Sequence, residues 1–225
     1  ILFSFFVRYE IHGIENVRHL PQAIFASNHA SELDPVIVTA GFPILSQFCP
    51  MFYTSSKKGD FNDKKYGLRR HLYGGRFFQA WGAYSVISGQ KNYEVSLMHH
   101  IQILNDGGSL CIFPEGWMTR DGNLLKAHGG VAYLLEKTGV PVVPVAISGA
   151  FKLSIKKFIT RGAKITVTFG TPVYKKELFS NPVVEVEEYK TKAQIILDHV
   201  GDLLGYVKTT PDLVRESFDT SETKA

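Results

Sequence analysis

Cysteine is scarce in this 225-residue chain: there are only two, Cys49 and Cys111. Both sit in apolar surroundings and far apart in sequence. That pattern excludes a disulfide framework or a cysteine zinc site and points to buried, reduced thiols in a cytosolic compartment. Nucleotide motifs are also missing. The sequence contains no P-loop, no dinucleotide-binding glycine fingerprint and no cluster of metal-ligand residues. His99 and His100 are adjacent and would point apart on a helix, so no metal is expected. A Gly-x-Ser-x-Gly elbow and a catalytic-looking cysteine are absent as well, which removes the common enzyme nucleophiles. No internal repeat or low-complexity tract is found.

What is present is the composition of one folded domain. Apolar residues make up 44% and charged residues 20%, ordinary for a globular chain with a full core and unlike a disordered one. Ile1–Val7 is almost wholly apolar, yet too short to cross a bilayer and without the features of a signal peptide. It fits either a buried first element or the end of a membrane anchor. The net charge of +4 is unevenly spread. Lys57, Lys58, Lys64, Lys65, Arg69, Arg70 and Arg76 form a basic tract interleaved with aromatic residues. A second group comprises Lys152, Lys156, Lys157, Arg161 and Lys164. Such tracts suit anionic headgroups or phosphorylated substrates, and equally a solvated loop. No nucleic-acid motif accompanies them, so nucleic acid is not expected as a partner.

Strand-like runs at 23–27, 83–87, 109–113, 141–147 and 164–170 alternate with helical stretches at 92–105, with Val95, Met98, Ile101 and Leu104 as its apolar stripe, at 131–137, and at 184–207, with Ile195, Ile196, Val200, Leu203 and Leu204 on its apolar side. The two prolines in the 139–147 run suggest an edge or bulged strand. The pattern predicts a single α/β domain over 1–208, with a mainly parallel or mixed sheet flanked by helices, and a polar tail over 209–225. The apolar, aromatic stretch 41–53 reads as a core strand with flanking loops, or as a surface that meets lipid.

Two segments carry chemistry. In Ser27-Asn28-His29-Ala30-Ser31-Glu32-Leu33-Asp34-Pro35, a strand passes into a helix, the position where open α/β sheets hold ligands. With His29 in the turn and Asp34 in the first helical turn, the carboxylate can fold back onto the imidazole. A histidine held on one ring nitrogen presents the other as a general base. The pair is a Ser-His-Asp triad without its serine, the attacking hydroxyl belonging to the substrate. The same residues also fit a helix capping box, with Ser31 as N-cap and Asp34 at N3. In Phe113-Pro114-Glu115-Gly116, a rigid turn sets Glu115 at a strand's carboxyl end. Neighbouring parallel strands would bring Glu115 close to His29.

Asn28-His29 with Asp34, Phe113–Gly116 and the proline-spaced run Val140–Ile147 together resemble the family of PlsC-like glycerolipid acyltransferases. That family includes the 1-acylglycerol-3-phosphate acyltransferases, and the likeness extends over roughly Tyr9 to Pro172. The resemblance implies a membrane-associated O-acyltransferase with no bound cofactor and no metal. Its co-substrate would be acyl-CoA or acyl carrier protein and its partners membrane lipids. It would lie at the cytoplasmic face of a membrane, peripherally or through a missing N-terminal anchor. His29 would deprotonate an acceptor hydroxyl, by default that of 1-acylglycerol-3-phosphate, and Asp34 would fix the imidazole. Glu115 and Gly116 would help bind the acceptor, with Arg120, Lys58 and Arg76 as available cations. The two arginines with which the family holds phosphate fall on Ser88 and Met118 here, which opens the way to another lysolipid, a glycolipid or an amino lipid. A catalytically silent lipid-binding domain and a lipid hydrolase are the remaining alternatives.

Overall fold

The computed structural model describes residues 7–55, 82–86, 92–153, 160, 162–181, 183 and 185–206. Lys58, Arg76, Ser88 and the 209–225 segment lie outside these, as does Ile1–Val7 apart from Val7, which is buried.

Among the described residues seven strands form one sheet: β1 (Arg8–His12), β2 (Ile24–Ser27), β3 (Met51–Ser55), β4 (Ala83–Ser85), β5 (Ser109–Ile112), β6 (Val142–Ser148) and β7 (Lys164–Phe169). Their order is β1-β7-β6-β2-β5-β3-β4, and only the β6–β7 pair is antiparallel. The α-helices among the described residues are α1 (Asp34–Thr39), α2 (Tyr93–Ser96), α3 (Met98–Asn105), α4 (Gly130–Thr138), α5 (Lys175–Leu178) and α6 (Val186–Leu204). This is the mixed α/β sheet that the sequence pattern predicts.

β2 and β5 are buried along their whole length, and β6 as far as Ile147, because apolar layers cover both faces, as parallel strands require. Alternate residues divide between the layers. Phe25, Cys111, Val143 and Val145 face a core with Phe42, Phe48 and Phe169, whose rings meet Phe25 at centroid distances of 5.2–5.9 Å. Ile24, Leu110, Ile112 and Val142 face the opposite core, supplied by Leu104, Leu134, Ile196 and Leu197.

Two local expectations change, and a third resolves onto one of its two alternatives. The 92–105 helix is two helices that meet at Leu97, and its inward stripe is Leu97, His100 and Leu104 while Val95 and Met98 are exposed. A histidine occupies an apolar-face position, which displaced the phase read from hydrophobicity alone. On α6 the inward residues are Ala193, Ile196, Leu197 and Val200, and Ile195 turns outward. The proline-spaced run is an interior strand, not an edge. Ile147 N–H points toward β2, donating to Asn28 Oδ1, whereas Val142 N–H points the other way, to Val173 O. By strand alternation Pro144 nitrogen faces the β7 side. There the pairing slips by one residue between Val145–Phe169 and Val142–Val173, so the proline lies at a bulge where no ladder bond is lost.

Buried His100 creates an acid-sensitive point. One ring nitrogen, Nε2, meets Tyr84 O at 3.2 Å, while Nδ1 is buried without a partner among the described residues. Burial pushes the imidazole down to about 4, against a smaller upward pull from the Tyr84 carbonyl. The unfolded chain takes up this proton near the ordinary histidine value of 6.5, so stability falls as pH drops from about 6.5 to about 4. A shift of that size corresponds to about 3 kcal/mol. Urea melts across this window are expected to show the loss, and His100→Leu is expected to flatten it; an unchanged slope would contradict the assignment.

Candidate active site

β2 and β5 are parallel neighbours, so the turns that follow them lie side by side at the carboxyl end of the sheet. The β2 turn carries His29 and the β5 turn carries Glu115. Asn28 closes the end of β2 by acting as an extra peptide group: its Nδ2 donates to Ile147 O at 3.0 Å and its Oδ1 accepts Ile147 N–H at 2.8 Å. Both amide functions are thereby satisfied on β6. That fixes the backbone entering His29, a role the spacing pattern did not disclose.

Asp34 is fully buried at the first position of α1. Its Oδ2 lies 2.9 Å from His29 Nδ1 and accepts the N–H groups of Ala30 and Ser31 at 2.6 and 2.8 Å. Ser31 Oγ donates to Oδ1 at 2.7 Å. The capping-box alternative is not realised. Leu33 occupies the N-cap and Pro35 the first turn, which proline suits because it has no N–H to lose there. Asp34 therefore turns back on the His29 loop.

With the carboxylate accepting at Nδ1, the proton resides on that nitrogen and Nε2 carries the lone pair. Nε2 has no hydrogen-bond partner among the described residues, and the side chain remains 23% exposed. Phe113 stacks on the imidazole, with ring centroids 4.2 Å apart and planes 18° apart. The stack sets the ring orientation and gives an imidazolium a π-face to lie on.

Glu115 is nearly fully buried, with Oε1 accepting His29 N–H at 2.8 Å and Oε2 accepting Leu125 N–H at 2.7 Å. The resemblance led to an acceptor-binding carboxylate. Each carboxylate oxygen receives a backbone N–H, and the group ties the β2 turn to the loop after β5. Burial lifts its carboxyl above the ordinary glutamate range, against the N–H bonds from Leu125 and His29, which pull it down. Thr119 N–H completes the brace by donating to His29 O at 2.9 Å. Glu115→Gln puts an amide N–H₂ opposite one of these N–H groups. It is expected to cost roughly 1–3 kcal/mol and to lower turnover by displacing His29, read from thermal melts and activity together. Wild-type stability and rate would show that the brace is dispensable.

Gly116 has φ of +70°, and a Cβ there would come within 2.8 Å of His128 Cδ2. This glycine is therefore needed for the turn. Arg120 is exposed on the same loop. The structure thus brings His29, Asp34, Glu115 and Gly116 together, while Lys58 and Arg76 lie outside the described residues. The N–H groups of His29, Ala30 and Ser31 are all spent inside the site, so this turn offers none of them to an oxyanion. Cys111 is buried and its thiol is pushed far up by that burial, so it carries no nucleophilic thiolate. A cavity of about 530 Å³, lined by Ile14, Phe42, Leu45 and Phe48 among others, contains none of the site residues.

A mixed α/β sheet that presents a carboxylate-held histidine at the ends of its parallel strands is the framework of a general-base site. The acyltransferase family model matches residues 8–148, which include this whole site. The chain belongs to the acyltransferase family. It is similar to a probable 1-acyl-sn-glycerol-3-phosphate acyltransferase of Mycoplasma pneumoniae, 26% identical over 170 residues, or 71% of this chain and 60% of that protein. It is also similar to a 1-acyl-sn-glycerol-3-phosphate acyltransferase of Limnanthes douglasii, 26% identical over 190 residues, or 77% of this chain and 57% of that protein. The chain thus spans less than two thirds of the length of these relatives. Its fold matches the crystal structure of the 1-acyl-sn-glycerophosphate acyltransferase PlsC from Thermotoga maritima. That match has a TM-score of 0.60 and 22% identity, and covers 92% of this chain and 77% of that one.

Proposed function

We propose that this protein transfers a fatty acyl group from a thioester, acyl-CoA or acyl carrier protein, to the hydroxyl of a lysolipid at a membrane surface. The acceptor in this reading is 1-acylglycerol-3-phosphate and the product phosphatidic acid, because the curated relatives above bear that activity in their names. The observation that carries the reading is the 2.9 Å contact of His29 Nδ1 with fully buried Asp34, which leaves Nε2 for substrate.

The steps follow from that geometry. His29 Nε2 takes the proton of the acceptor hydroxyl as its oxygen attacks the thioester carbonyl. Asp34 holds the imidazole in one tautomer and stabilises the imidazolium. The tetrahedral intermediate then expels the thiolate with cleavage of the C–S bond, and the thiolate takes the proton from His29. A thioester is activated enough for direct attack, so no enzyme nucleophile is required.

A second reading keeps the chemistry and changes the acceptor. Met118 stands where the family has a phosphate-binding arginine, and it is an exposed apolar side chain beside the site. An acceptor without a phosphomonoester suits it better, since a guanidinium fork is the best ligand for that group. Assay of a panel of lysolipid, glycolipid and amino-lipid acceptors separates the two. Under the second reading Met118→Arg is expected to raise turnover of lysophosphatidate relative to neutral acceptors, by roughly tenfold for one charge-assisted contact. An unchanged ratio would remove Met118 as the cause.

A further inference from the structure

We propose that the rim of the His29 site docks on a phospholipid bilayer through Trp117, Met118 and Leu125, an inference that rests on the lipid-acyltransfer reading and names the surface it uses. Trp117 is 63% exposed, Met118 42% and Leu125 37%, with Leu33 across the site at 37%. All lie within a few residues of the backbone ties that join His29, Glu115, Thr119 and Leu125. They therefore belong to the two loops that carry the site.

These side chains are not exposed for want of structure. The loop after β5 is pinned by Tyr206 Oη, which donates to Gly122 O at 3.1 Å, and by Phe151, whose ring would lie 3.2 Å from a Cβ at Gly122. A pinned loop that holds an indole and a thioether in water has an apolar face that interfacial burial would relieve. Tryptophan suits the headgroup boundary in particular, with its apolar body and one N–H.

Charge around the patch fits an anionic surface. Arg120 and Lys126 flank the apolar residues on the same loop and are exposed. Lys152, its Nζ 4.9 Å from the Phe151 ring, adds a third cation beside Gly122. Among the nearby acids, exposed Asp121 accepts hydrogen bonds from Thr119 and Asn123, Asp198 accepts one from Gln194, which holds Ala127 N–H, and Glu32 is exposed beside Leu33. Cations close to anionic lipid add to apolar burial.

Ile44 and Leu45 are more exposed still, at 89% and 97%. They belong to the connection between α1 and β3, which returns to the opposite end of the parallel strands from His29. A bilayer against those residues would leave the catalytic mouth facing away.

Trp81 and Trp117 are the two tryptophans of the chain, so Trp81→Phe leaves one reporter. With phosphatidylcholine–phosphatidylglycerol vesicles, Trp117 emission is expected to shift to the blue and to be quenched by brominated acyl chains. Trp117→Ser with Leu125→Ser is expected to weaken vesicle binding at least roughly tenfold, while Ile44→Ser with Leu45→Ser leaves it unchanged. Unchanged Trp117 emission in the presence of vesicles, or loss of binding through the Ile44 and Leu45 pair instead, would overturn the proposal. Transfer to a short-chain lysophosphatidate dissolved without vesicles is measured in parallel. If the native protein acylates neither it nor the other acceptors of the panel, the acyltransfer reading falls, and the fluorescence still decides the docking surface.

Discussion

His29→Ala is expected to lower acyl transfer by about 10²–10⁴-fold, the contribution of a positioned general base, while the protein stays folded. The fold survives because the side chain is only part-buried and Asp34 keeps three of its four partners, the N–H groups of Ala30 and Ser31 and the hydroxyl of Ser31. The loss should fall on kcat, since proton removal matters most in the transition state. Steady-state kinetics paired with a thermal melt distinguish the outcomes. Full activity in a folded variant would remove His29 from the chemistry, and an unfolded variant would assign it a structural role.

The second large effect belongs to Asp34, where two substitutions separate charge from hydrogen bonding. Asp34→Asn can place its carbonyl oxygen where Oδ2 now accepts His29 Nδ1, Ala30 N and Ser31 N, and its N–H₂ toward Ser31 Oγ. The loop and tautomer are then kept, but the negative charge that stabilises the imidazolium is lost. A fall in kcat of about 10²–10⁴-fold is expected, with a modest change in stability. Asp34→Ala removes the acceptor altogether and strands buried N–H groups, which is expected to cost about 3–5 kcal/mol. Chemical denaturation measures the second and kinetics the first. A wild-type kcat for Asp34→Asn would mean that Asp34 serves only to hold the turn.

Most of the sheet was legible in the sequence because its central strands are short apolar runs bounded by turns. β2, β5, β6 and β7 all fall within the expected ranges to a residue or two. β1 was not read: Arg8–His12 does alternate, Tyr9 and Ile11 with polar neighbours, but a five-residue edge strand with mostly exposed residues and only two apolar positions is a weak signal. β3 was hidden at the end of the aromatic stretch 41–53, where periodicity cannot separate strand from loop. The His29–Asp34 pair could be found because its chemistry needs that spacing across a strand-to-helix turn. What escaped were residues that act through the backbone. Asn28 bridging to Ile147 and Glu115 binding two N–H groups leave no periodic mark, because their partners are peptide groups up to 119 residues away. Phe113, stacked on His29, shares the block that contains Glu115, so its role is visible only once β2 and β5 are neighbours.

The central claim is that His29 activates the hydroxyl of a lipid acceptor rather than water. The most direct test supplies radiolabelled acyl-CoA and acyl carrier protein donors to the native protein, with and without lysophosphatidate and the other acceptors, and identifies the labelled product. The account predicts label in an acylated lipid, phosphatidic acid in the first instance, and almost none without an acceptor. Label released chiefly as free fatty acid whether or not acceptor is present would contradict it and make the site a hydrolase.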